Sequence, residues 1–188
     1  YEIDPWRVTY RGLDMENLGQ LESLFSLANG HIGLRGNLDE GEPREVPGTY
    51  INGVHEQVPL PYAERGYGFP EIGETVVNVT DGKLIRLMLG DAPFDIRYGT
   101  LLNHERTLDM RTGTLDRHTT WASPNGHTVR VTSRRLVSFT QRSVAAIQYE
   151  VTALDSDLVV ALQSDLLANE PGGSASRDPR AGAVLERP

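Results

Sequence analysis

Along most of this chain apolar and polar residues alternate with a period of two, which sets them on opposite faces of β-strands. In residues 145–151, Ala145, Ile147, Tyr149 and Val151 share one face while Gln148 and Glu150 take the other, the pattern of a half-buried strand. In residues 83–89, Ile85, Leu87 and Leu89 lie on one side, Leu84 and Met88 on the other with Arg86 as the charge among them, so both faces are expected to be covered. Residues 157–166 alternate through Leu158, Val160 and Leu162. Residues 127–139, rich in Val, Thr and Ser, read as one long strand whose Arg134-Arg135 pair suggests a bulge or a sheet edge.

Turn dipeptides separate these runs. Asp81-Gly82 precedes the run from Lys83, and Asn125-Gly126, after Pro124, precedes the run from His127; both are common in hairpins. Arg111-Thr-Gly113 predicts a further hairpin between 108–110 and 114–121. Glycine (19 residues) and proline (11 residues) are frequent enough to break long helices and suit short strands. One short helix is expected near Leu18–Leu27, with Leu18, Leu21, Phe25 and Leu24 as inward candidates. No repeat of fixed period is present. The predicted fold is all-β, an antiparallel β-sandwich with little helix.

Residues 1–168 form the predicted sandwich domain, and residues 169–188, with Glu170-Pro-Gly-Gly-Ser-Ala-Ser, have the composition of a linker. The apolar Ala183-Val-Leu185 just before Pro188 reads as the approach to a boundary inside a larger protein. With 188 residues, 38% of them hydrophobic, the chain can bury a core. A formal net charge of −8 disfavours nucleic acid and anionic membrane surfaces. No apolar run has the length of a membrane span. The start, Tyr1-Glu-Ile-Asp-Pro-Trp6, has neither the basic nor the apolar part of a signal peptide. The absence of cysteine excludes disulfides, thiolate metal sites and thiol catalysis, and fits a cytoplasmic location. Asn78-Val-Thr80 is a glycosylation sequon that carries little weight without a secretion signal.

The chemical motifs are sparse. Gly30-His-Ile-Gly33-Leu-Arg-Gly36 lacks the spacing of a dinucleotide loop and is followed by Asn37-Leu-Asp-Glu, a turn, so it reads as a tightly packed strand connection. The five histidines, His31, His55, His104, His118 and His127, have no metal-ligand spacing. Glu40, Glu42 and Glu45 cluster in a turn-rich segment where solvation is the ordinary reason for carboxylates. Glu105 and Asp109 read as strand carboxylates with Arg106, Arg111 or Arg117 as partners. No Gly-x-Ser-x-Gly elbow occurs. Tyr62-Ala-Glu-Arg-Gly-Tyr-Gly-Phe-Pro70 is different: an aromatic, glycine-rich loop with Arg and Glu is the composition that sugar recognition uses.

Glu22–Asn37 resembles the opening of glycoside hydrolase family 65, the maltose, trehalose and kojibiose phosphorylases, and Gly48-Thr-Tyr-Ile-Asn-Gly53 is similar to the segment that follows it. Asn78-Val-Thr-Asp-Gly-Lys83, Asp91-Ala-Pro-Phe-Asp95, Glu105-Arg-Thr-Leu-Asp-Met110, Ser133-Arg-Arg-Leu-Val-Ser-Phe-Thr140 and Ala146-Ile-Gln-Tyr-Glu-Val151 occur in the family's order, so the resemblance runs from Trp6 to Asp165. The wording is closer to the trehalose and kojibiose branch. The resemblance implies the family's N-terminal domain, a large antiparallel two-sheet β-sandwich of galactose-mutarotase-like type, here in whole or truncated, with a helical linker and an (α/α)6 barrel following.

The family's barrel carries the catalytic glutamate and the phosphate site; the reaction inverts the anomeric carbon, an acid protonating the glycosidic oxygen while phosphate or water attacks. No segment here matches those motifs, so no catalytic residue and no metal ligand is carried over. The expected role is a non-catalytic domain of an α-glucoside disaccharide phosphorylase or hydrolase that packs on the barrel and supports a homodimer. No cofactor is implied beyond inorganic phosphate as co-substrate, and the disaccharide is contacted only indirectly. Arg65 and Tyr67 are the substrate-contact candidates. Two other classes fit such a sandwich: an autonomous carbohydrate-binding module, and an aldose-epimerase-like activity that would need a histidine and a carboxylate paired across a cleft.

Overall fold

A computed structural model describes residues 4–60 and 66–168. In chain order the elements are β1 (Arg7–Arg11), α1 (Leu18–Leu24), β2 (Leu27–Ala28), β3 (Ile32–Leu34), β4 (Thr49–Ile51), β5 (His55–Pro59) and β6 (Ile72–Val76). They continue with β7 (Asp81–Leu89), β8 (Ala92–Pro93), β9 (Thr100–Asp109), β10 (Thr114–Ala122), β11 (Thr128–Val137), β12 (Ala145–Ala153) and β13 (Val160–Leu167). The main layer is a five-stranded antiparallel sheet in the order β1-β9-β10-β11-β12. Facing it are a three-stranded sheet, β13-β7-β8, and the small sheet β2-β3-β4; β5 and β6 pair separately.

Two of the three turn signals do what their chemistry suggests. Asp109 pairs with Thr114 across residues 110–113, and Ala122 pairs with Thr128 across Asn125-Gly126. Gly126 has φ +89°, a left-handed conformation that side chains with a Cβ rarely adopt. Asp81-Gly82 differs: it lies inside β7. The Asp81 carboxylate accepts from the Lys83 backbone N–H (3.0 Å), the Lys83 ammonium (2.5 Å) and the Thr49 hydroxyl (3.1 Å), so it serves a buried ion pair and no turn.

The core has two parts, both against the inner face of the five-stranded sheet. Leu87 and Leu89 of β7, with Phe94 and Ile96, meet Trp121, Val129 and Val131. Phe94 and Trp121 stack edge to face with centroids 4.9 Å apart. At the other end Leu21 and Phe25 pack with Leu27, Leu34, Leu115 and Val137. Helix α1 has seven residues and no side-chain cap, so its stability comes from burying Leu18, Leu21 and Phe25. Leu24 points outward, 39% exposed.

Gly36 shows how closely that end is packed. A Cβ there would stand 2.7 Å from Phe25 Cβ and 2.8 Å from its carbonyl oxygen. Gly36→Ala is therefore expected to destabilise the fold by about 1–3 kcal/mol, as overpacking against backbone does, read as a lowered urea midpoint.

Two sequence expectations change. Arg134 and Arg135 lie in the interior strand β11, between β10 and β12, with Arg134 on the outer face and Arg135 buried. Val160 and Leu162 of β13 are not core: they are 37% and 52% exposed, because among the described residues nothing covers that side of β13. Both β12 and β13 are sheet edges. Between their layers runs a gap of about 440 Å³ lined by Ile32, Leu34, Ile51, Ile85, Ala145 and Ile147 among others.

Candidate functional site

The period-two register gathers the buried polar residues on one face. Arg106 of β9 stands opposite Arg117 of β10, which stands opposite Ser133 of β11, which stands opposite Tyr149 of β12. Arg135 lies two residues beyond Ser133 on the same face. These side chains reach across to residues 35–40, a stretch without strand pairing whose carbonyls need donors. Arg106 Nη1 donates to the Gly36 carbonyl at 3.0 Å, and its guanidinium lies 4.8 Å over the Phe25 ring. Arg135 donates to the carbonyls of Arg35 and Asn37, each at 3.2 Å.

The carboxylates of the same stretch complete the cluster. Arg117 forks onto Glu40, with Nη1 to Oε2 at 2.8 Å and Nη2 to Oε1 at 2.5 Å, and lies 3.3 Å from Asp39. Arg135 is paired with Asp39, Ser133 donates to Asp39 at 2.6 Å, and the Tyr149 hydroxyl donates to Glu40. Asp39, Glu40, Arg117 and Arg135 are all buried, with 2–6% exposed. Burial alone would raise the Asp39 carboxyl, but Arg135, Arg117 and the Ser133 hydroxyl outweigh it and hold it below its usual value. Burial opposes the charge on Arg117 as well, yet Glu40 and Asp39 raise its pKa on balance. Burial, then the adjacent Glu40 charge, pushes the Tyr149 phenol upward.

A second anchor ties the two ends of the segment 35–46 to α1. The buried Glu22 of α1 accepts from the backbone N–H groups of Glu45 (3.0 Å) and Val46 (3.2 Å), and lies 3.6 Å from Arg35. The whole arrangement is sealed, so its chemistry is that of a clamp that fixes residues 35–46 on the sheet.

The candidates read from sequence fall elsewhere. Arg65, with Tyr62–Glu64, lies outside the described residues, as do residues 169–188. Tyr67 sits on the Gly66–Phe69 turn with its side chain fully in solvent. Glu42 and Glu45 are exposed, whereas Glu40 is buried because it faces Arg117. Glu105 and Asp109 pair across β1 with Arg11 (2.7 Å) and Arg7 (2.8 Å), not with Arg106, Arg111 or Arg117, because the register puts those partners directly opposite. Arg7 and two backbone N–H groups of the β9–β10 loop lower the Asp109 carboxyl to about 2. His104 is 2% exposed, its Nδ1 2.9 Å from the Thr119 hydroxyl. Burial first, and then the charges of Arg117 and Arg106, lower its pKa to about 3.

The profile of "Glycosyl hydrolase family 65, N-terminal domain" matches residues 8–188. The chain belongs to this family. The family 65 relatives include an uncharacterised glycosyl hydrolase of Mycobacterium tuberculosis, 57% identical over 188 residues, covering 100% of this chain. The α,α-trehalose phosphorylase of Thermoanaerobacter brockii is 34% identical over 190 residues, covering 99% of it. The chain spans 24% of the length of each of these two. A solved structure from the human microbiome, provisionally assigned as a kojibiose phosphorylase, superposes with a TM-score of 0.76 at 25% identity, over 86% of this chain and 21% of that one. The antiparallel all-β fold is thus shared with a family 65 structure.

The clamp is a feature that sequence reasoning missed, although a trace of it was present. In β10 Arg117 shares a face with Leu115, Thr119 and Trp121, and in β11 Arg135 shares one with Val129, Val131 and Val137. An arginine in phase with core residues has to be paired or to reach a carbonyl. Trp6, half-exposed beside Arg111, was likewise not singled out.

Proposed function

We propose that residues 1–168 are the accessory β-sandwich of a disaccharide phosphorylase or hydrolase acting on α-glucosides in the cytoplasm, with residues 169–188 leading toward the catalytic part. The observation that carries this reading is the open side of the sandwich: β12 and β13, edges with no further partner strand among the described residues, flank a gap lined by apolar residues together with Thr49, Lys83 and Ser164. On β13, Leu162 and Leu166 stay 52% and 80% exposed. Patches of this kind mark surfaces that other polypeptide covers, and about three-quarters of the relatives' length lies outside the matched region. In this reading the remaining polypeptide, including the barrel, closes that side, and the domain helps to pair subunits.

Catalysis is assigned to the barrel, with inorganic phosphate as co-substrate if the parent is a phosphorylase. The carboxylates of the clamp are sealed in ion pairs and cannot meet a substrate. Tyr67, and Arg65 beside it in sequence, remain the candidates for contact with the barrel mouth. The test compares the complete protein with residues 1–188, each given trehalose, kojibiose or maltose with phosphate. The complete protein is expected to release glucose 1-phosphate, or glucose alone if it is a hydrolase, and the shorter chain neither. Release by residues 1–188 would overturn the reading. Sedimentation of the complete protein checks the expected dimer.

A further inference from the structure

The outer face of the five-stranded sheet carries a trough that neither the clamp nor the open side uses. It has two adjoining parts, of about 350 and 510 Å³, which share Asp4, Arg7 and Asp109. At one end stands Trp6, 47% exposed, whereas Trp121 is fully buried. The indole is held in place from several sides. The Arg111 guanidinium lies 4.9 Å over the ring. The Trp6 backbone N–H donates to Asp4 Oδ1 at 2.8 Å, and its carbonyl accepts from the Met110 N–H at 2.8 Å. Arg111 is itself tied by its backbone N–H to Asp109 Oδ1 at 2.9 Å. Arg111 takes one face of the ring, so the half-exposed indole has its other face left as a flat apolar surface, at a position set by its backbone bonds and with little ordering left to lose on binding.

The floor that leads away from Trp6 is polar, rigid and electrically balanced. Arg7 pairs with Asp109, Arg11 with Glu105 and Arg134 with Asp116, each pair bridging neighbouring strands. Asp4 and Arg111 at the Trp6 end add one charge of each sign. Between the ion pairs lie threonine hydroxyls, with Thr9 and Thr107 3.0 Å apart and Thr114 donating to Asp116 at 3.1 Å. This balance selects the ligand class. A polyanion would meet no net positive surface. An apolar peptide would strip water from three ion pairs and return no hydrogen bonds. A neutral polyol can exchange its hydroxyls for that water, donating and accepting, while one pyranose ring lays its C–H face on the indole.

The geometry points to a saccharide-binding surface on this sheet, with Trp6 as the stacking platform, the Arg7–Asp109 pair as the adjacent hydroxyl contact, and a neutral polysaccharide chain of pyranose units as the occupant. The site is separate from the Tyr67 turn and independent of whatever chemistry the barrel performs. The complete protein is run in native gels containing soluble starch, dextran or mannan. Retardation is expected in at least one of the three gels. Trp6→Ala should weaken the apparent affinity at least tenfold and Trp6→Phe only partly, with turnover of the protein's small substrate unchanged. Thr112→Arg, at an exposed hairpin position, should fill the trough and remove retardation even if Trp6→Ala fails to fold. Unretarded migration of the unaltered protein in all three gels, or retardation unchanged by Thr112→Arg, would overturn the proposal.

Discussion

Replacing Arg117 by alanine should destabilise the sandwich by about 3–5 kcal/mol, the range found when one partner of a buried ion pair is removed. The guanidinium forks onto Glu40 and touches Asp39, and its side chain is 3% exposed. Without it, Glu40 keeps only the Tyr149 hydroxyl, and Asp39 keeps Arg135 and Ser133. Glu40 would then be a buried carboxylate without an ion pair, and Arg135 would be left paired with Asp39 alone. For a domain of ordinary stability this loss consumes much of what separates folded from unfolded chain.

The measurement is urea unfolding followed through the fluorescence of Trp121, which is buried on the same sheet face. A double variant tests the mechanism further. Arg117→Met with Glu40→Leu removes both charges and fills the space with apolar volume, so it should cost clearly less than the two single changes added together. Additive costs, or a cost below about 1 kcal/mol for Arg117→Ala, would mean that residues 35–40 are held by packing alone.

The long strands were legible because nothing competed with their alternation. The reading of residues 127–139 meets β11 (Thr128–Val137), and residues 145–151 lie within β12. Local turn chemistry was less dependable. Asn125-Gly126 makes its hairpin, but Asp81-Gly82 does not, since the Asp81 side chain is engaged by Lys83 and Thr49, and Thr49 is thirty-two positions earlier in the chain. That contact could not be read locally.

The same limit explains the misreading of Glu40 and of the Arg134-Arg135 pair. A carboxylate among turn residues looks solvated until its partner, Arg117, arrives from 77 residues away. Two adjacent arginines on a strand necessarily point to opposite faces, so one of them had to be inward unless the strand lay at an edge. The family resemblance supplied the fold and the expectation that chemistry lies elsewhere, but it could not show which arginines close the inner layer. It also could not show that β13 presents its apolar residues to solvent in this chain.

Acid should reveal His104. The unfolded chain takes up a proton on this residue near pH 6.5, whereas in the folded protein burial, and the charges of Arg117 and Arg106, hold its pKa at about 3. Between those values the unfolded state binds one proton more than the folded state. The associated stability is therefore fully present above pH 6.5 and is lost as pH falls toward 3, at about 1.4 kcal/mol per pH unit. By pH 4.5 this one residue should have cost about 2–3 kcal/mol. The window lies above the range in which the lowered carboxyls Asp39, Asp81 and Asp109 titrate in the unfolded chain, so these add their own losses only at lower pH. His104→Gln keeps a polar group that can face the Thr119 hydroxyl but cannot take up that proton. Its stability at pH 7 should be lower, because a fully buried position is disturbed, yet its slope between pH 6.5 and 4.5 should be shallower than that of the unaltered protein by nearly the whole His104 contribution. Urea midpoints at half-unit pH steps give both slopes. Equal slopes would mean that His104 is protonated in the folded state, and hence that water reaches the inner face of the sheet at the Thr119 row.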